Sequence, residues 1–236
     1  PDSYDSEIDY PLMFVFHGFG GIATQFINNA DMRDLAESNN FIVVYPQGLD
    51  LGGTGSHWNC SNPSADNKSD VDDIGFIENL IDQLILDYPV IDSKRIYAAG
   101  YSNGGFMSYY LACNSKKFAA IGSVAGTMLD DSYQSCNANF PTAMINIHGT
   151  NDFDVPYDGN TYYPSIPEVV DWWKNFNNTP NEDLLTNQDG SIEQYKYYND
   201  AGDIYVEHIK IIGGEHYWDD KLNYDGKNTS GLIWDF

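Results

Sequence analysis

The sequence predicts an α/β protein: a mostly parallel central sheet with helices on both faces. Three observations carry this. Apolar runs of strand length recur along the chain, as strands buried on both faces require. Segments of helical period alternate with them. One run, Ile96 to Ala99, ends in Gly100-Tyr101-Ser102-Asn103-Gly104-Gly105, and helix-compatible sequence resumes at Phe106. The chain of 236 residues shows no linker, repeat or low-complexity stretch, so one domain over 1–236 is expected.

The elements follow in order. PLMFVFHGFGG (11–21) reads as a buried strand that ends at His17-Gly18. Residues 30–39 form a short helix. FIVVYPQG (41–48) is a second buried strand, closed by Pro46 and Gly48. A polar loop over 49–70 holds His57-Trp58-Asn59-Cys60. Over 72–88, Ile74, Ile77, Leu80, Ile81, Leu84 and Ile85 share one helical face, and Asp72 or Asp73 stands where a cap is needed. After the strand RIYAAG come two more apolar strands, 118–126 and 142–149. Residues 166–176 are an amphipathic helix with Pro167 near its start. Residues 192–199 and 203–211 alternate as half-exposed strands, GGEHYW (213–218) is a loop, and TSGLIWDF begins a last helix.

Composition excludes several function classes. There are 35 acidic residues against 11 basic ones, a net charge of −24, which repels nucleic acid and anionic lipid. No apolar run approaches the roughly 18 residues of a membrane span. A monomer with neither kind of partner is expected. The acid is spread along the chain and reads as a solvated face. The cluster Asp66, Asp70, Asp72 and Asp73 lacks the Asx-Gly pattern of a calcium loop, so solvated charge and a helix cap are expected, with no metal. Cys60, Cys113 and Cys136 fit no metal spacing, and an odd count leaves at least one thiol free. Sequons at Asn59, Asn67, Asn177 and Asn228 read as chance in an asparagine-rich chain. The start at Pro1, with no signal peptide, suggests a processed or trimmed product.

The glycine-flanked serine has two readings. It is an ordinary glycine-rich turn, or it is a nucleophile elbow, a strained strand-to-helix turn that lifts the Ser102 hydroxyl above the sheet at a helix N-terminus. The second reading demands an acid and then a histidine downstream. Asp152 lies just past the strand 142–149, and Asp154, two residues on, competes with it. Of five histidines, His216 follows the last strand, and the two glycines before it allow its loop to bend back. His17 and His148, at strand ends, are expected to hold loops by hydrogen bonds. His208, mid-strand, is expected to face a sheet edge. His57 precedes the serine and breaks the order. An oxyanion hole needs two N–H donors: Asn103, after the serine, and Phe19 in HGFGG, ahead of Gly18 or Gly20. Phe19, Trp58, Phe153, Tyr217 and Trp218 could stack a substrate ring or belong to the core.

The stretches HGFGG, YPQG…WN, VDDIGF, RIYAAGYSNGGFMSYYLAC, FAAIGSVAGT, INIHGTNDFDVPY and GGEHYW, in that order over nearly the whole chain, resemble the secreted esterase family of feruloyl esterases and extracellular polyhydroxybutyrate depolymerases. The resemblance implies an α/β-hydrolase fold without a large lid. It also implies a Ser102–Asp152–His216 triad, no cofactor, and action on carboxylic esters in a secreted or periplasmic setting. Feruloyl esters are the first expectation, with polyhydroxyalkanoate or acetyl (xylan) esters behind. The rival of another class is a non-catalytic binding domain on a hydrolase scaffold. The resemblance further favours a Cys113–Cys136 disulfide, with Cys60 as the odd thiol; the alternative is three free cysteines. Two departures stand out. Family members carry strand sequence before the equivalent of PDSYD and helix beyond IWDF, so an edge strand and part of a helix are expected to be missing here.

Overall fold

The structure, a computed structural model, describes residues 1–2, 4–53, 55–62, 69–138, 140–201, 205–219 and 222–236. In chain order the elements are β1 (Tyr10–Phe16), α1 (Ala23–Phe26), α2 (Arg33–Asn39), β2 (Ile42–Val44), β3 (Leu49–Asp50), β4 (Ser56–His57), α3 (Asp73–Asp87), β5 (Ile91–Tyr101), α4 (Asn103–Asn114), β6 (Ala120–Val124), α5 (Asp130–Ser135), β7 (Ala143–Gly149), α6 (Ile166–Phe176), β8 (Asn181–Thr186), β9 (Ile192–Tyr198), β10 (Tyr205–Ile211) and α7 (Thr229–Asp235). Eight strands form one sheet in the order β2-β1-β5-β6-β7-β10-β9-β8. The pairs from β2 across to β10 are parallel, and β9 pairs antiparallel with both β10 and β8.

Strand alternation builds two cores. Leu12, Phe14 and Phe16 of β1 face one side, with Ile96 and Ala98 of β5. There they meet Ile77 and Ile81 of α3, Met107 and Leu111 of α4, and Val169 and Trp173 of α6. Met13 and Val15 face the other side, with Ala99, Val124, Ile145 and Ile209, under Ala36 of α2 and Leu232 and Ile233 of α7. A strand covered on both faces has no polar side, which is why β1 reads as an unbroken apolar run.

Helix ends follow the side chains. Asp72 caps α3 by accepting from the Gly75 N–H at 2.8 Å, while Asp73 is buried and accepts from the Asn59 N–H at 2.7 Å. Ser165 and Glu168 close a capping box on α6. Asn228 caps α7, Asn177 is buried against Thr142, and Asn59 bonds the Val71 carbonyl, so these three sequon asparagines hold the fold. Asp66 and Asn67 lie outside the described residues. Cys113, in the last turn of α4, is bridged to Cys136 at the end of α5, with Cα atoms 5.1 Å apart, and Cys60 is a buried thiol.

Three expectations need correction. The stretch 41–48 was expected as a fully buried strand, but β2 is a three-residue, half-buried edge strand. The stretch 203–211 was expected as half-exposed, and His208 at a sheet edge. Instead β10 lies between β7 and β9, because the β8–β9 hairpin extends the sheet past it, and His208 is buried. β8 itself, NEDLLT, has no alternation to announce it: it is an outer edge strand and almost wholly exposed.

Candidate active site

The glycine–serine turn is an elbow. Ser102 has φ 52° and ψ −119°, a conformation that non-glycine residues adopt only under constraint. The constraints are visible. The Ser102 N–H donates to the Val124 carbonyl of β6 at 2.9 Å. The Ser102 carbonyl accepts from Gly105 and Phe106 as α4 begins. A Cβ on Gly100 would strike the Gly104 carbonyl, and a Cβ on Gly104 would strike that of Phe16, so β1, β5 and α4 close on one another only where these side chains are missing.

Asp152 and His216 meet because their strands are neighbours. β7 and β10 pair in parallel, with Ile211 opposite Gly149, so the loops that leave their carboxyl ends run side by side. Cross-bonds tie them: Thr150 N–H to Ile211 O, Asn151 N–H to Gly214 O, and Gly213 N–H to Thr150 Oγ1. His216 Nδ1 lies 2.7 Å from Asp152 Oδ2. The other carboxylate oxygen accepts from the Asp154 and Val155 N–H groups at 3.0 and 2.8 Å. Burial pushes the Asp152 carboxyl up, but hydrogen bonds from His148, His216 and Val155 outweigh it and hold the group well below the usual carboxylate range. Asp154 offers its backbone to Asp152, and its side chain makes no bond to His216. Among the described residues the donor atoms of Asp152, Asp154 and His216 also lie within 4.8 Å of one another, a metal-like spacing. That spacing is built on an Asp152–His216 bond which already engages Nδ1 and Oδ2.

Tyr101, just before the serine, donates from its hydroxyl to the His216 carbonyl at 2.8 Å, its ring 5.1 Å from the imidazole. The serine strand and the histidine loop are thereby joined. Asn103 does more than offer an N–H at the first turn of α4. Its side chain clamps the loop after β4, with Oδ1 accepting from Trp58 N–H at 2.7 Å and Nδ2 donating to Trp58 O at 3.0 Å. The Trp58 indole in turn donates to the His17 carbonyl at 3.0 Å. His17 Nε2 accepts from the Gly48 N–H, so Nδ1 carries the proton given to Gly18 O, and burial pushes this imidazole's pKa down. His17 therefore holds loops, as expected. His57 is buried against Ser69 and Leu49.

A cavity of about 430 Å³ opens over the serine, lined by Ser102, Asn103, Trp58, Phe106, Tyr162 and Tyr163, with Phe19 at its side. Of the expected substrate aromatics, Trp58 lines this cavity from a buried position, and Phe19 is half-exposed beside it. Trp218 is a correction: it is buried in the second core against Phe26 and donates to Ser230 Oγ, because the backbone turns between His216 and Trp218. Phe153 (81% exposed) and Tyr217 (62%) stand outside the cavity lining. Of the oxyanion candidates, Gly20 is ruled out, since its N–H is given to Ser56 O at 2.7 Å.

Comparison with known proteins agrees with this fold. Residues 31–140 match the prolyl oligopeptidase family. A probable feruloyl esterase C of Aspergillus niger is 31% identical over 166 residues, 67% of this chain and 55% of that protein. Feruloyl esterase B of Piromyces equi is 28% identical over 251 residues, spanning 100% of this chain and 43% of its own length. The acetyl xylan esterase structure from Aspergillus awamori superposes with a TM-score of 0.67 at 17% identity, over 92% of this chain and 86% of that one. The chain belongs to the α/β-hydrolase family. This α/β-hydrolase spans about half the length of the curated relatives it matches. Among the described residues there is no large lid, and no helix is long and apolar enough to cross a membrane.

Proposed function

We propose that this α/β-hydrolase is a serine carboxylesterase that cleaves feruloyl-type esters. The observation that carries the reading is the 2.7 Å Asp152–His216 contact, on loops tied to the strained elbow that presents Ser102. Ser102 Oγ attacks the ester carbonyl carbon while His216 takes its proton. Asp152, ionised and held by the N–H groups of Asp154 and Val155, keeps the imidazole oriented and stabilises the imidazolium. The negative charge formed on the carbonyl oxygen falls to the N–H groups of Asn103 and Phe19. The C–O bond to the alcohol breaks as His216 returns the proton to it. Water, deprotonated by the same imidazole, then attacks the acyl-enzyme and releases the acid and Ser102. The chemistry calls on no cofactor.

The acyl preference rests on the cavity. Its walls of Trp58, Phe106, Tyr162 and Tyr163 suit a flat phenolic ring, and about 430 Å³ accommodates one ring with a short tether. The names of the relatives point the same way. The disulfide supports an oxidising, extracytoplasmic setting. With a net charge of −24, the partner is a neutral or weakly charged ester rather than nucleic acid. The test compares hydrolysis of methyl ferulate, an aryl acetate and polyhydroxybutyrate, with Ser102→Ala as control. Methyl ferulate should be cleaved best, and the alanine variant should lose roughly 10³-fold or more in kcat. A clear preference for acetate would replace feruloyl by acetyl esters. An active Ser102→Ala protein would sink the serine mechanism.

A further inference from the structure

A second histidine grips the carboxylate of Asp152. His148 stands in β7, next to its last residue, and is fully buried. Its Nε2 lies 2.9 Å from the Val155 carbonyl and 3.2 Å from Asp152 Oδ2. A carbonyl oxygen and an ionised carboxylate only accept, so Nε2 must carry a proton. Nδ1 is buried with no hydrogen-bond partner among the described residues. A second proton there would leave a charged donor unpaired in the core, so the ring is the neutral Nε2–H tautomer. Asp152 then receives two backbone N–H groups on Oδ1 and His216 on Oδ2, and the one Nε2–H of His148, given to the Val155 carbonyl, is shared with that same Oδ2 at 3.2 Å.

We propose that His148 is a positioning residue for the reaction, which fixes the carboxylate rotamer facing His216 and draws part of the negative charge of Oδ2 away from it. The proposal rests on the triad reading given above. It differs from a packing role in what it says about protonation. A full carboxylate charge beside His216 favours the imidazolium, and an imidazolium cannot take the serine proton. A neutral N–H on the same oxygen moderates that pull without adding a competing cation. The other titratable groups around the pair are His208 of β10, held neutral by burial, the Tyr157 ring 6.1 Å from His148, the Tyr101 phenol, Tyr163 and Asp154. None of these donates to Oδ2 among the described residues.

The test replaces His148 by Leu, which removes the donor, and by Gln, whose amide N–H reaches the position of Nε2. His148→Leu should lower kcat roughly tenfold with KM unchanged, since His148 does not line the cavity. The acid limb of its kcat/KM profile should move up by about half a pH unit or more, and His148→Gln should restore both. A leucine variant with wild-type kcat and profile overturns the proposal. So does an equal loss in both variants with the limb unmoved, which is the signature of packing alone. Nitrogen NMR supplies a readout free of folding defects in the variants and of catalysis. In the wild-type protein His148 should show a protonated Nε2 and a bare Nδ1, and a protonated Nδ1 refutes the idea. If the wild-type protein cleaves no ester, the proposed function fails alone, and the tautomer of His148 with the titration of His216 still decides this proposal.

Discussion

His208 makes the acid stability of this protein measurable at one residue. Its Nδ1 lies 3.4 Å from the Asn146 carbonyl, so that nitrogen carries the proton, and Nε2 accepts from the Tyr157 hydroxyl at 2.8 Å. Burial pushes its pKa down to about 3 in the folded protein. In the unfolded chain a histidine titrates near ~6.5. Below that value the unfolded state takes up a proton that the native state refuses. The contribution is therefore complete above pH ~6.5 and is lost as pH falls towards the folded value, at about 1.4 kcal/mol per pH unit. At pH ~4.5 the loss amounts to roughly 2–3 kcal/mol, a large part of a typical domain's stability. The perturbation is His208→Gln, which keeps an acceptor for Tyr157 and removes the titration. Urea unfolding at a series of pH values between about 7.5 and 4.5 gives both curves. The variant starts lower by a constant, from imperfect packing, and then falls less steeply, the two curves converging by roughly 2–3 kcal/mol. Carboxylates relieved of self-repulsion, and His17, whose pKa burial also lowers, act equally in both proteins and cancel. Parallel curves would show that the buried imidazole accepts its proton in place, and the argument from burial would fall.

Two further predictions follow from the site and the bridge. Asp152→Asn should cut kcat by orders of magnitude, because an amide can present N–H to His216 Nδ1 and favour the wrong tautomer, whereas Asp154→Asn should cost far less; steady-state kinetics on one ester ranks the two, and the reverse ranking would mean the acid is Asp154. Replacing Cys113 and Cys136 together by Ser should lower unfolding stability by roughly 3 kcal/mol for a separation of 23 residues, and the denatured, unreduced wild-type protein should titrate one thiol, three being the result that excludes the bridge.

Much of the fold was legible where one segment sufficed to show it. β1 and α3 declare themselves because burial on both faces, or on one helical stripe, leaves its period in the residues themselves. α1, four residues long, and α5, six, are too short for any period, and β8 is too exposed. The approach of Asp152 to His216 was legible as well, since it depends on where strands end. Trp218 was misplaced for the opposite reason: GGEHYW is a loop, and no period says which of its aromatics turns inward. His148, only four residues before Asp152, was missed because spacing alone does not show the turn after β7 folding the carboxylate back onto the ring. Tyr101 and the Asn103 side chain could not be found as partners, because each contact joins elements distant in the chain. Finding them needs the sheet order, with β7 beside β10 and the loop after β4 beside α4.

This division has a physical basis in how the two halves of the site are held. The serine side is fixed by backbone. Ser102 keeps its positive φ because β1, β5, β6 and α4 crowd around it, and the crowding tolerates only glycine at positions 100 and 104. Such a requirement writes itself into the sequence as a motif, and substitution there forces a main-chain clash with no flexible group to yield. The side that holds Asp152 and His216 is fixed by side chains. Asp152, His216, His148 and Tyr101 hold one another through single hydrogen bonds across loops, each removable on its own. Losses there should be graded and partly rescued by isosteres that keep the donor, while losses at the elbow should be abrupt. The glycines are thus the visible signature of the site, and the contacts of Tyr101 with His216 and of Asn103 with Trp58 are the part that only the packing of distant elements brings into view.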